Sequence, residues 1–290
     1  MGERDWLAER FEEHRARLRA VAYRMLGSPS EADDAVQEAW IRLSRTDADE
    51  VENLGGWLTT VVARVSLNML RSRRTRREEP LVRLPEPIID RADGVDPEHE
   101  ALLADSVGLA MLVVLETLTP PERVAFVLHD IFGLPFEEIA SIVDRSPEAT
   151  RQLASRGRRR IQGERTVPDA DLATQRRVVD AFVAAAREGD FQGLLEVLDP
   201  DVVLRVYFGP TAESTEVRGA EAVAGQAASF GQIDLLVRPA IINGVAGAVS
   251  TLDGEPFSVG ALIVRDGRIV EIDILADPER LQQLDLTILD

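Results

Sequence analysis

The 290-residue sequence has no cysteine and no lysine, only three histidines, and aromatics at 5% of its positions. Without cysteine, disulfides, thiolate metal sites and cysteine nucleophiles are excluded. His14, His99 and His129 are spaced too widely for a histidine metal cluster, so neither a metal nor a cofactor is expected. No apolar run approaches the roughly 20 residues that cross a bilayer, and Met1 to Arg10 is charged, without a signal-peptide core. A cytoplasmic chain with no membrane partner is the expectation. The 15 prolines and 20 glycines are too few and too scattered for a fibrous or disordered chain. What remains is 45% hydrophobic and 29% charged, a globular composition at a length that suits two domains, or three small ones. All 33 basic residues are arginine, which reads as a compositional bias and is given no role.

The net charge of -18 speaks against a nucleic-acid surface spread over the whole chain, but the charge is unevenly distributed. Basic and acidic residues number 14 and 15 over 1–80, 2 and 6 over 81–100, 8 and 9 over 101–166, and 9 and 21 over 167–290. The excess negative charge is thus concentrated at the C-terminal end, while two dense arginine clusters stand in segments that are nearly neutral.

Residues 1–78 read as a three-helix bundle. Leu7, Phe11, Leu18, Val21, Ala22 and Met25 fall at helical spacings. After Gly27-Ser28-Pro29 a second stripe runs from Ala32 to Leu43, with Ser30 as its cap, and a third helix runs from about Trp57 to Arg74. Residues 79–104, broken by Pro80, Pro85, Pro87, Gly94 and Pro97, read as a linker. Its apolar Leu81, Val82, Leu84, Ile88 and Ile89 predict that part of it is ordered against a neighbour. A second helical unit covers 105–166, where Phe136 to Val143, the turn Asp144-Arg145-Ser146 and a helix from Pro147 have helix-turn-helix spacing. Over 172–290 the periodicity changes to helices near 172–187, 191–198 and 219–230 and β runs at 202–208, 234–242, 245–252, 257–264 and 268–275. With Asp266-Gly267 as a hairpin signal, this predicts an α+β domain whose helices cover one face of an antiparallel sheet.

Arg71, Arg73, Arg74, Arg76 and Arg77 close the third helix, which also carries Trp57, Thr59, Thr60, Arg64, Ser66 and Asn68, side chains able to stack on bases or hydrogen-bond to them. Solvation of a helix C-terminus, and a core role for Trp57, are the bland alternatives. The second cluster is Arg151, Arg156, Arg158, Arg159, Arg160 and Arg165. In helix-turn-helix geometry Glu148, Ala149, Arg151, Gln152 and Ser155 face base edges, while Arg156 and the later arginines reach phosphates.

Three stretches of residues 8–78, Ala22-Tyr23-Arg24-Met25-Leu26-Gly27, Ala32-Asp33-Asp34-Ala35-Val36-Gln37-Glu38-Ala39-Trp40 and Trp57-Leu58-Thr59-Thr60-Val61-Val62-Ala63-Arg64, resemble region 2 of extracytoplasmic-function sigma factors. Leu118-Thr119-Pro120-Pro121-Glu122-Arg123 and Phe136-Glu137-Glu138-Ile139-Ala140 resemble the family's region 4. Leu84-Pro85-Glu86-Pro87 and Asp277-Pro278-Glu279-Arg280-Leu281 resemble the subgroup that carries a C-terminal SnoaL-like domain, whereas Arg205 to Pro210 depart from that subgroup's usual turn.

The resemblance implies a multidomain chain: two all-α sigma domains, a helical bundle and a helix-turn-helix, followed by an α+β SnoaL-like domain with a cystatin-like cone. It implies core RNA polymerase, through its β′ clamp and β flap, and promoter DNA as partners, and a monomer when free. Asp33, Asp34, Gln37 and Glu38 fall in the polymerase-binding helix; Trp57, Thr60, Arg64, Asn68, Arg71, Arg73, Arg74, Arg76 and Arg77 in the segment that reads the -10 element; and Glu148 to Arg160 in the -35 recognition helix. No catalytic residue is implied, although Asp190, Asp201, Asp234 and Asp273 are carboxylates in segments near the expected pocket or its rim, with Tyr207 and Phe208 placed to line or plug it. Leu84, Ile88 and Ile89 in the linker and Asp277, Pro278, Glu279, Arg280 and Leu281 near the end are the candidates for interdomain regulation. A DNA-binding regulator fused to a small-molecule-binding or enzymatic domain is the alternative reading.

Overall fold

The computed structural model describes residues 3–46, 53–76, 85–92, 94, 109–161, 171–209, 214–231, 233–284, 286 and 289, with the backbone alone at 3–5, 74–76 and 110. The linker residues Leu81, Val82 and Leu84, together with Arg77, lie outside them.

The first helix, α1 (Glu3–Leu26), buries Phe11, Leu18, Val21, Ala22 and Met25 on one stripe. The next, α2 (Pro29–Leu43), buries Ala32, Ala35, Val36, Ala39 and Leu43. Its N-cap is Ser28 rather than the expected Ser30, because Pro29 supplies the first helical residue, where a missing N–H costs nothing. The Ser28 hydroxyl makes no capping bond: it donates to a Glu86 carboxylate oxygen at 3.0 Å and lies 3.0 Å from the Ser30 hydroxyl. Both pack on α3 (Leu54–Arg76), whose start is fastened by Asn53, the side-chain oxygen of which accepts from Gly56 N at 3.0 Å.

Beyond the linker, α4 (Leu109–Thr117) leads to α5 (Pro120–Phe126), opened by a reciprocal capping box between Thr119 and Glu122. A π-helical turn, Val127–Ile131, follows and then α6 (Phe136–Val143). Asp144 ends α6 in the left-handed region at φ 57°, and Ser146 caps α7 (Pro147–Ile161) by accepting from Ala149 N at 3.2 Å. Gly157 lets α7 approach α5 closely: a Cβ there would stand 3.1 Å from Phe126 Cβ.

The chain divides into two compact units, one built on residues 1–86 and 111–164, the other on 87–96 and 165–290. In the second, a seven-stranded sheet has its first strand before, and its other six after, helices α8 (Leu172–Glu188) and α9 (Phe191–Val197), with α10 (Ala220–Phe230) between the third and fourth strands. The strands are β1 (Ile89–Arg91), β2 (Leu198–Tyr207), β3 (Thr215–Arg218), β4 (Leu236–Ile242), β5 (Val245–Leu252), β6 (Glu255–Arg265) and β7 (Arg268–Leu275), in the order β1-β4-β5-β6-β7-β2-β3. A short helix, α11 (Pro278–Leu281), follows.

The sheet is mixed, not antiparallel throughout: β2 pairs with β7 in parallel, Leu204 against Ile272 and Val206 against Ile274. These four residues face the helices, in a core shared with Val179 and Leu194. The β4–β5, β5–β6 and β6–β7 turns place Asn243-Gly244, Asp253-Gly254 and Asp266-Gly267 at positive φ, the type I′ pattern that matches strand twist. Of the apolar linker residues, Ile88 and Ile89 join this unit. Ile89 stands opposite Ile242, Ile88 N donates to the Asn243 side-chain oxygen at 2.8 Å, and Asn243 N donates back to Ile88 O at 2.9 Å.

Candidate functional site

Two exposed helix faces belong to the first unit. Along α3, Trp57, Thr60, Arg64, Asn68 and Arg71 recur at three- and four-residue intervals and form one stripe at the surface, while Leu58, Val62 and Ser66 on the other side are buried. Arg64, Asn68 and Arg71 are exposed, and Trp57 and Thr60 half-buried. Thr60 turns its hydroxyl to Gly56 O at 3.0 Å, and Arg64 donates to Ser141 O, on α6, at 3.2 Å. Arg73 lies off the stripe, in a close ion pair with Glu31 and donating to Leu26 O at 3.3 Å. Thr59 and Ser66 are buried, so neither reaches a ligand at this surface. The side chains of Arg74 and Arg76 lie outside the described atoms.

On α2 the four polar candidates separate. Asp34 and Gln37 are exposed, Asp33 is held by Arg19 at 2.6 Å, and Glu38 pairs with Arg42 one turn on at 3.0 Å. Trp40 packs its ring on Phe11, 5.1 Å between centroids.

Glu148, Arg151, Gln152, Ser155 and Arg159 make a second surface stripe, along α7. The Arg151 guanidinium lies over the Phe136 ring at 5.1 Å, and that ring stacks on His129 at 3.8 Å, so Arg151 is pre-oriented beside the helix start. The Glu148 carboxyl is held below its usual range, first by its own amide at the helix N-terminus and then by the Ser146 hydroxyl. Ala149 is half-buried.

The arginines flanking this stripe have protein partners. Arg156 Nε and Arg160 Nη1 reach the buried Glu122 carboxylate at 2.9 and 3.3 Å, and Arg158 reaches Asp130 at 2.5 Å. They brace α7 against α5 and the π turn. Arg159, by contrast, has no ion pair among the described residues, only a contact to Ser155 O at 3.4 Å. Burial alone would push the Glu122 carboxyl up. The Thr119 hydroxyl and amide, the Arg156 guanidinium and the Arg160 charge outweigh it and hold the group below its ordinary value. Sequence reasoning missed Glu122 as the hub of this brace, although Thr119 and Glu122 stand at capping-box spacing.

A second hub joins the bundle to the later helices. Arg123, 3% exposed, donates to both Glu116 carboxylate oxygens at 2.7 and 2.9 Å and to Met25 O at 2.9 Å. Arg24 lies over Phe132 at 5.0 Å. Both halves of the first unit therefore pack as one body, with α3 against α5 and α6.

In the second unit a cavity of about 530 Å³ lies between the sheet and helices α8 and α10. Of the four candidate carboxylates only Asp234 lines it. Asp190 caps α9 through Gly193 N, and Asp273 is buried on the opposite face of the sheet with Tyr207, whose hydroxyl donates to it at 3.4 Å. Phe208 lines the cavity and Tyr207 does not. Asp277 caps α11 through Glu279 N, and Arg280 and Leu281 are buried. No group of three metal-ligating side chains exists among the described residues, and no helix among them is long and apolar enough to cross a membrane.

Residues 10–76 match the Sigma-70 region 2 family and residues 109–161 the Sigma-70 region 4 family. The chain is 36% identical over 293 residues to the "Probable ECF RNA polymerase sigma factor SigI" of Mycobacterium tuberculosis, covering 98% of each chain. It is also 36% identical to the ECF RNA polymerase sigma factor SigJ of that organism, over 93% of this chain and 91% of the relative. The crystal structure of M. tuberculosis SigJ superposes with a TM-score of 0.70 at 33% identity, covering 95% of this chain and 98% of that one. Full-length similarity of this kind assigns the chain a role in transcription specificity rather than a catalytic one: it belongs to the extracytoplasmic-function sigma factors.

Proposed function

We propose that this chain directs core RNA polymerase to promoters with two recognition elements and initiates transcription there. The observation that carries the reading is the pair of exposed polar stripes, one on α3 within the region 2 match and one on α7 within the region 4 match. Capturing unstacked bases asks for stacking and hydrogen-bonding side chains with arginines close by; Trp57, Thr60, Arg64, Asn68 and Arg71 supply these on α3, followed in sequence by Arg74, Arg76 and Arg77, while Arg73 contributes only in competition with Glu31. Reading a duplex in the major groove asks for short and forked polar groups at a helix start, which Glu148, Arg151, Gln152 and Ser155 provide. Arg159 is the best-disposed phosphate ligand of α7. Arg156, Arg158 and Arg160 contribute there only in competition with Glu122 and Asp130. The exposed Asp34 and Gln37, with Asp33 and Glu38 beside them, form the polymerase-facing surface of α2.

The second unit is read as a SnoaL-like domain that modulates the sigma core, through Leu84, Ile88 and Ile89 on the linker side and Asp277 to Leu281 on the other. Residues 167–290, with 9 basic and 21 acidic residues, carry a net negative field that repels DNA. Reconstituted transcription with core polymerase on a promoter library tests the reading, two-element start sites being the expected result. A folded chain that fails to bind core polymerase would refute it.

A further inference from the structure

We propose that the second unit binds an uncharged, largely apolar small molecule carrying one hydroxyl or carbonyl oxygen, in the cavity between the sheet and helices α8 and α10. The cavity, about 530 Å³, is within the range that encloses a drug-sized ligand. It reaches into the core rather than lying across a surface: Leu204, Val223, Leu262 and Ile272 form its wall and are all at most 5% exposed. That depth suits a compact molecule and not a peptide helix. Arg187 and Asp234 are the charged residues of the lining; both are exposed, and both also border the neighbouring surface recess, which sets them at the mouth. An ionised group deeper inside would meet no counter-charge, so the enclosed part of the ligand is uncharged.

Besides Gln226 on α10, the uncharged polar side chains of the lining are a pair of serines on the sheet. Ser250 and Ser258 stand opposite each other across β5 and β6, both line the cavity, and neither hydroxyl has a hydrogen-bond partner among the described residues. Two adjacent hydroxyls can donate to, or accept from, a single ligand oxygen. At the rim Phe208, Phe230 and Ile233 are 43%, 40% and 39% exposed, apolar surface suited to admitting a hydrophobic ring. Every residue invoked belongs to the second unit, so the proposal stands apart from the promoter reading.

The test uses the full chain and two environment-sensitive fluorophores: prodan, an uncharged naphthyl ketone, and 8-anilinonaphthalene-1-sulfonate, of similar size but anionic. Prodan should saturate one site per chain with blue-shifted emission and bind more tightly than the sulfonate. Gly260 also lines the cavity, and a Cβ there meets nothing closer than Ile274 Cγ1 at 3.8 Å. A side chain begun from that Cβ has room to enter the cavity, so Gly260→Ile should weaken prodan binding about ten-fold or more, the melting temperature showing that the fold is kept. Ser250→Ala with Ser258→Ala adds no volume and should weaken it by about two- to ten-fold, the range for one net hydrogen bond. Failure of prodan to saturate, tighter binding of the sulfonate, or wild-type affinity in both variants would overturn the proposal.

Discussion

Replacing Glu122 separates the structural and DNA-facing roles of the α7 arginines. Its carboxylate accepts from Thr119 N at 3.2 Å, Thr119 Oγ1 at 2.8 Å, Arg156 Nε at 2.9 Å and Arg160 Nη1 at 3.3 Å. Glu122→Ala removes the capping box, worth about 1 kcal/mol. It also removes two ion pairs whose arginines are 48% and 52% exposed; screening limits each to about 0.5 kcal/mol. The expected loss is about 2 kcal/mol, a downward shift of roughly 4–8 °C in the transition of the first unit. Glu122→Gln keeps an acceptor for Thr119 and should lose about half as much. Calorimetry of the full chain, with the second unit's transition as internal reference, reads both. The pH dependence has a fixed sign. Because the folded carboxyl sits below its ordinary value of 4.5, its contribution is complete above that value and fades as pH falls through the folded value. The gap between wild type and Glu122→Gln should therefore close in acid. Both variants also release Arg156 and Arg160, so the log-log salt slope of duplex binding should steepen by up to about 0.9 per arginine. Unchanged stability and an unchanged slope in Glu122→Ala would refute the brace.

Arg159→Ala should lower that salt slope by about 0.9 with no loss of sequence preference, whereas Arg151→Ala should relax discrimination at the upstream element and leave the slope nearly unchanged; titrations on cognate and mismatched duplexes distinguish the two. Gly157→Val should destabilise the first unit by about 1–3 kcal/mol, because branched carbons are forced into the contact with Phe126, and denaturant unfolding measures it. Asn243→Ala loses both a left-handed turn residue and the acceptor for Ile88 N, so it should cost about 1–3 kcal/mol and make residues 88–91 cleavable by protease under native conditions.

Local pattern made the helices legible. The stripes of α1, α2 and α7 follow directly from apolar and polar spacing, and Asp266-Gly267 marked its hairpin. Asn243-Gly244 and Asp253-Gly254 carry the same signal at the two neighbouring turns. Pairing between distant segments was not legible. Ile89-Asp90-Arg91 is too short to show alternation, so the apolar linker announced order without naming its neighbour. Alternation in β2 and β7 reveals faces but not that the two strands run parallel. The arginine cluster of α7 looked like a uniform phosphate surface because Glu122 and Asp130, which engage three of its members, lie 34 and 28 residues upstream of Arg156 and Arg158. The polar stripe of α3 was readable at Trp57, Thr60, Arg64 and Asn68, but the inward turn of Thr59 and Ser66 depends on how the bundle packs.

The strand contributed by the linker has a bearing on synthesis. Ile89 finds its mate in Ile242, so a ribosome adding about 5–20 residues per second needs roughly 8–30 s to make the stretch between them. During that interval the apolar Ile88-Ile89 pair emerges with no strand to join, beside a bundle whose own helices are already complete. The sheet of the second unit can be closed at that edge only by returning to a segment translated long before. For the same reason, a chain cut between residues 162 and 170 does not yield an intact C-terminal domain: the fragment keeps β4 but leaves β1 on the other piece, exposing the backbone edge of β4 to pairing with other chains.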